Sequence, residues 1–166
     1  LARAPKVAAS KNPGAIAVII GNKTYANNIP TVSFAHNDAD AIKRYVIETL
    51  GYREGNIIDV RDTTKAELEA IFGNKESHRG KLFDYVRSDV SDVTVFYSGH
   101  GAPAVEEKKG NLLPVDVDIS RIGITGYPLD VMLENLSKVP ARSMTVFLDA
   151  CFSGDSPKGM IIQATS

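Results

Sequence analysis

Two short stretches of this 166-residue chain carry residues able to do covalent chemistry. One is Ser143-Met-Thr-Val-Phe-Leu-Asp-Ala-Cys-Phe-Ser-Gly154, which holds Cys151, the single cysteine of the chain. The other is Asp92-Val-Thr-Val-Phe-Tyr-Ser-Gly-His-Gly101, in which His100 stands between two glycines. A thiol beside an imidazole is the minimal apparatus for nucleophilic catalysis, because the thiolate attacks and the imidazole takes its proton. A lone cysteine considered alone is more often a buried structural residue. Position argues for the other reading. Each residue follows an apolar, β-favouring run, Met144 to Leu148 or Val93 to Tyr97, of the kind buried on both faces of a parallel sheet. Ligands of such sheets gather outside the carboxyl ends of the strands. If the two strands are neighbours, His100 and Cys151 emerge side by side, and the flanking glycines allow a tight turn and close approach of another backbone.

The elements that must position them follow an alternating pattern. Residues 1–14 are small, basic and proline-containing, and read as an extended arm. Ala15 to Ile20 is a continuous apolar run and the first buried strand, followed by a loop from Asn22 to Pro30. Phe34, Ala41, Ile42, Tyr45, Val46 and Leu50 fit one helix face over 33–50, with Ser33 as N-cap and Gly51 as the stop. Ile57 to Val60 is a second strand. Thr63 or Thr64 caps a helix through about Phe72, and Glu67, three residues after Thr64, offers a capping box. A further helix is expected over 78–88, an extended piece over 112–117, and a helix begun by Pro128 and running to about Lys138. In the His100 strand, Val93, Val95 and Tyr97 fall on one face and Thr94 and Phe96 on the other. Strands alternating with helices indicate an α/β domain over 15–166 with a mainly parallel sheet.

Composition narrows the function classes. A net charge of −1 gives no electrostatic case for nucleic acid or an anionic membrane. No apolar run nears the roughly 18 residues that span a bilayer, so a soluble protein is expected, with the cytoplasm slightly favoured. One cysteine excludes an intrachain disulfide and a cysteine-cluster zinc site. The chain begins at Leu1 and not Met, so a preceding piece is expected in the natural protein.

Tyr97-Ser-Gly-His-Gly101 together with Asp149-Ala-Cys-Phe-Ser-Gly154 resembles the caspase-like cysteine peptidases, most closely the metacaspase and paracaspase branch with its bacterial orthocaspases. The 51 residues from His100 to Cys151 agree with the separation of about 50 known for caspases. The Gln-Ala-Cys signature of caspases proper is replaced by Asp149-Ala-Cys151, as metacaspases have it. Leu112-Leu-Pro-Val-Asp116 also matches that branch. Phe152 departs from it, since metacaspases commonly carry His there.

The resemblance implies a three-layer sandwich with helices on both faces of a mostly parallel sheet. It implies a catalytic dyad of His100 and Cys151, with the backbone N–H groups of Gly101 and Cys151 as the oxyanion hole and no obligatory third carboxylate. It implies cleavage after arginine or lysine, with Asp149, Ser98 and the Asp38 of Asn37-Asp38-Ala39 lining the primary pocket. The competing reading of Asp38 is a helix-start acid favoured by the macrodipole, and that of Asp149 a strand-end hydrogen-bond acceptor. His36, near the start of the first helix, reads as a surface residue. No cofactor is implied; calcium dependence, known in some metacaspases, has no readable loop here. The expected partners are protein or peptide substrates with Arg or Lys before the cut. A small-subunit region from the same precursor is expected to complete the groove, this chain matching the large catalytic subunit. A silent caspase-like scaffold and a thiol peptidase of the legumain or gingipain type are the competing functions.

Overall fold

The computed structural model describes residues 11–103, 110–150 and the strand at 160–164. Of the expected arm over 1–14, residues 1–10 lie outside the described residues. The first apolar run forms β1 (Ile16–Gly21), buried along its whole length. Helix α1 (Ala35–Glu48) and strand β2 (Ile57–Arg61) follow. Helix α2 (Lys65–Phe72) starts at the foreseen capping box, with Glu67 N–H donating to the Thr64 hydroxyl and Thr64 N–H to the Glu67 carboxylate. Then come α3 (Lys81–Tyr85) and β3 (Asp92–Ser98). Beyond β3 lie β4 (Gly101–Pro103), β5 (Gly110–Leu112), α4 (Ile122–Thr125), β6 (Tyr127–Pro128) and α5 (Leu129–Ser137). The chain returns to the centre as β7 (Ser143–Asp149), and β8 (Met160–Ala164) flanks it.

The main sheet has the order β2-β1-β3-β7-β8. Its first four strands are parallel and β8 runs antiparallel to β7. Side chains alternate across the pleat, so each strand feeds two cores. Val18, Ile20, Val95, Tyr97, Val146 and Leu148 meet Leu68, Leu82 and Met132 of α2, α3 and α5 on one face. Ala17, Ile19 and Phe96 meet Ala39 and Val46 of α1 and Tyr52 on the other. Helices therefore cover both faces, as a parallel sheet with crossover helices requires. The division of Val93, Val95 and Tyr97 from Phe96 is the one expected.

Several local expectations are corrected. Ser33 is not the cap of α1; Phe34 holds that place, already helical at φ −97°, with no side-chain cap bond. A turn closed by Ala35 N–H on Val32 C=O at 3.2 Å runs straight into the helix, leaving no extended residue from which a side chain could cap. The helix foreseen over 78–88 shrinks to 81–85. Asn74 Oδ1 accepts from the N–H groups of Glu76 and Ser77, both at 3.0 Å, and this local turn competes with helix up to the extended Gly80. The piece foreseen at 112–117 is a strand only up to Leu112; past Pro114 the chain turns, with Val117 N–H on Pro114 C=O. Pro128 caps α5 from an extended conformation instead of standing in its first turn. The antiparallel sheet β4-β5-β6 had no counterpart in the sequence reading.

Candidate active site

Three strands end in one row. Gly21 of β1 pairs with Ser98 of β3, and Ser98 with Asp149 of β7. Two bonds extend the row, Asn22 N–H to Ser98 C=O at 2.8 Å and Gly99 N–H to Asp149 C=O at 3.2 Å. The absence of a side chain at Gly21 admits α1 here. A Cβ would lie 2.6 Å from the Ala35 carbonyl oxygen and 3.0 Å from the Ala39 Cβ. That close approach brings the first turn of α1, and Asp38 on it, against the strand ends. Ser98 is buried, its Oγ in a long contact of 3.5 Å with Asp149 Oδ2, and Asp149 is exposed. Burial pushes the Asp38 carboxyl above its ordinary value, and the negative charge of Asp149 pushes it further. The structure thus brings together Asp38, Ser98 and Asp149, two carboxylates and a neutral hydroxyl, with the charge of Asp149 acting on Asp38.

His100 leaves the same edge and is held at four points. Its N–H donates to the Tyr25 hydroxyl at 2.8 Å. Its carbonyl accepts from the Tyr97 hydroxyl at 2.8 Å and from Leu113 N–H at 3.0 Å. Its ring Nε2 lies 2.7 Å from the Pro30 carbonyl oxygen. A carbonyl only accepts, so Nε2 carries the proton and, in the neutral ring, Nδ1 keeps the lone pair. The ring also lies against Tyr25, centroids 4.9 Å apart and planes tilted by 54°. Gly99 makes room for this arrangement: a Cβ there would sit 2.7 Å from the Tyr25 hydroxyl and 2.8 Å from that of Tyr97. Burial raises both phenols above the usual 10 or so, which keeps them protonated.

Tyr25 and Pro30 belong to the loop between β1 and α1, and that loop is tied down. Asp62 Oδ1 accepts from Lys23 N–H at 2.7 Å and Thr24 N–H at 3.1 Å, and His36 Nε2 stands 3.0 Å from the same oxygen. Burial alone would raise the Asp62 carboxyl, but the two amides and His36 outweigh it and the value falls. Asp62 reaches this position from a left-handed conformation, φ 54°, which Asp tolerates better than most residues. Fully buried Asn22 anchors the loop's start, accepting from Thr63 N–H and Oγ at 2.8 and 2.9 Å.

Of the sequence candidates, His100, Asp38, Ser98 and Asp149 gather here. Gly101 starts β4 next to His100 and pairs with Leu112. Cys151 and Phe152 lie outside the described residues; the strand leading to them, β7, is the direct neighbour of the His100 strand. His36 is half-buried and bonded to Asp62 instead of a free surface residue. His78 packs edge-on to Phe83, their centroids 5.2 Å apart. Sequence reasoning missed Tyr25 and Pro30, since a loop aromatic and a loop proline carry no local signal of a distant histidine. Among the described residues no group of three or more His, Cys, Asp or Glu could hold a metal ion, and no helix is long and apolar enough to cross a membrane. The chain matches the family model of the caspase domain over residues 15–166. No curated protein matches it.

Proposed function

This chain belongs to the caspase-domain family of cysteine peptidases, and from that premise we propose that it is an endopeptidase of the metacaspase type, cutting after arginine or lysine through a Cys151–His100 dyad. In this reading His100 Nδ1 takes the Cys151 proton, and the thiolate attacks the scissile carbonyl to give a tetrahedral oxyanion. The backbone N–H groups of Gly101 and Cys151 receive that charge. The imidazolium then gives its proton to the leaving amine, and water, deprotonated by the same ring, releases the acyl group from sulfur. The Pro30 carbonyl does for the ring what a third carboxylate does elsewhere: it fixes which nitrogen is protonated. The scheme draws on no cofactor.

The observation that carries the specificity is the grouping of Asp38, Ser98 and Asp149 at the strand edge that also bears His100. Two carboxylates beside a buried hydroxyl favour a cation, and a guanidinium can bond both in its own plane. The test is a panel of fluorogenic peptides ending in Arg, Lys, Asn or Asp, given to the full-length protein and its Cys151→Ala and His100→Ala variants. Hydrolysis confined to Arg and Lys, abolished by Cys151→Ala and lowered by orders of magnitude by His100→Ala, is expected. Cleavage after Asn would identify the legumain type. Full activity in Cys151→Ala would falsify the dyad.

A further inference from the structure

The loop that supplies Pro30 to the imidazole supplies a second residue, and the two grip His100 differently. Pro30 touches the far side of the ring through a main-chain oxygen. Tyr25 touches both halves of the residue: its hydroxyl accepts the His100 N–H at 2.8 Å, and its ring lies 4.9 Å from the imidazole centroid. Tyr25 is 9% exposed, so its polar end is committed to the protein interior, and Gly99 leaves the space that end occupies. A structural tyrosine would need one of these contacts. Both together fix the backbone of His100 and the plane of its ring.

We propose that Tyr25 is a positioning residue for the peptidase reaction, holding the His100 main chain by its hydroxyl and the imidazole by its ring so that the Nε2-protonated form persists and Nδ1 remains the base. The proposal rests on the dyad reading above. Without the ring contact the imidazole can rotate about its side-chain bonds and lose the Pro30 carbonyl, and both tautomers then become populated. Without the hydroxyl the part-buried N–H of His100 loses its acceptor. The contacts of Tyr25 are with His100, so the loss is expected first in turnover.

The experiment uses Tyr25→Phe, which keeps the ring, and Tyr25→Leu, which keeps neither, in the full-length protein. Tyr25→Phe is expected to lower kcat about tenfold with KM for Arg peptides unchanged, the size of one lost hydrogen bond felt at the base. Tyr25→Leu is expected to lose more, and the ¹⁵N shifts of its His100 imidazole should report mixed tautomers where the parent shows Nε2–H alone. A parent kcat in both variants, with the parent's single tautomer, overturns the proposal. If Tyr25→Leu fails to fold, a parent kcat in Tyr25→Phe overturns it alone. If the parent has no peptidase activity the functional reading fails, and the tautomer measurement still decides the role of Tyr25: an unchanged Nε2–H signal in Tyr25→Leu sinks it.

Discussion

Asp38 and Asp149 stand at the same strand edge in different surroundings. Asp38 is half-buried with a carboxyl raised first by burial and then by Asp149, whereas Asp149 stands in solvent. If Asp38 holds the substrate cation as proposed, it must be ionised. On acidification kcat/KM for Arg peptides should therefore begin to fall above the ordinary carboxylate range near 4. Alkylation of Cys151 by a small neutral reagent needs no pocket and should lack that limb. Asp38→Asn should remove the limb and lower kcat/KM for Arg peptides roughly 30-fold or more, as loss of about 2–5 kcal/mol from a desolvated pair implies, and Asp149→Asn should lower it by less because that carboxylate stands in solvent. Parent rates in both variants would mean the cation sits elsewhere. The residues proposed for this pocket could be picked out because short motifs carry them: Asn37-Asp38-Ala39, Ser98-Gly-His100, Asp149-Ala-Cys151. The support of His100 could not. Tyr25 reaches it from 75 positions away and Pro30 from 70, and only the folded loop reveals such contacts.

The same contrast holds for elements. Strands β1 and β3 are legible because burial on both faces forces apolar runs with few interruptions, and α2 because Thr64 and Glu67 satisfy each other's backbone groups. The start of α1 and most of the helix expected over 78–88 are not, since a main-chain turn at 32–35 and a turn built on the Asn74 side chain at 74–77 override the apolar spacing. Two substitutions test which element the pocket depends on. Gly21→Ala drives a methyl against the Ala35 carbonyl and displaces the first turn of α1, at about 1–3 kcal/mol for overpacking. Thr64→Ala removes the cap of α2 at about 1 kcal/mol. Denaturant midpoints should fall comparably, but KM for Arg peptides should rise only in Gly21→Ala, because α1 carries Asp38 and α2 packs on the opposite face. A rise in KM with Thr64→Ala would show that any loss of stability loosens the pocket.

Across the whole molecule one carboxylate ties the strand starts together as the pocket ties their ends. Asp92, at the head of β3, accepts from the Arg142 guanidinium Nε at 2.9 Å, the Ser143 hydroxyl at 2.7 Å and the Asn12 amide at 2.9 Å. It thereby joins the entry to β1, the first residue of β3 and the first of β7. The Arg142 bond holds its carboxyl far below the ordinary range, with Ser143 and Asn12 adding to that against the effect of burial. A carboxylate depressed by folding adds stability at every pH above its unfolded value near 4, and that stability drains as pH falls toward the folded value. Asp62 acts in the same sense. Asp38, raised by folding, acts in the opposite one and offsets part of the loss. Asp92→Asn should therefore lower stability at pH 6 by about 1–2 kcal/mol, toward the low end for a charged hydrogen-bond centre because Arg142 is more than half exposed. Urea midpoints measured from pH 6 to pH 3 should show the gap between parent and variant closing below about pH 4, where Asp92 of the unfolded chain takes up a proton that the folded carboxylate does not. A gap that stays constant over that range would mean the shape of the side chain at position 92, and not its charge, joins the three strands.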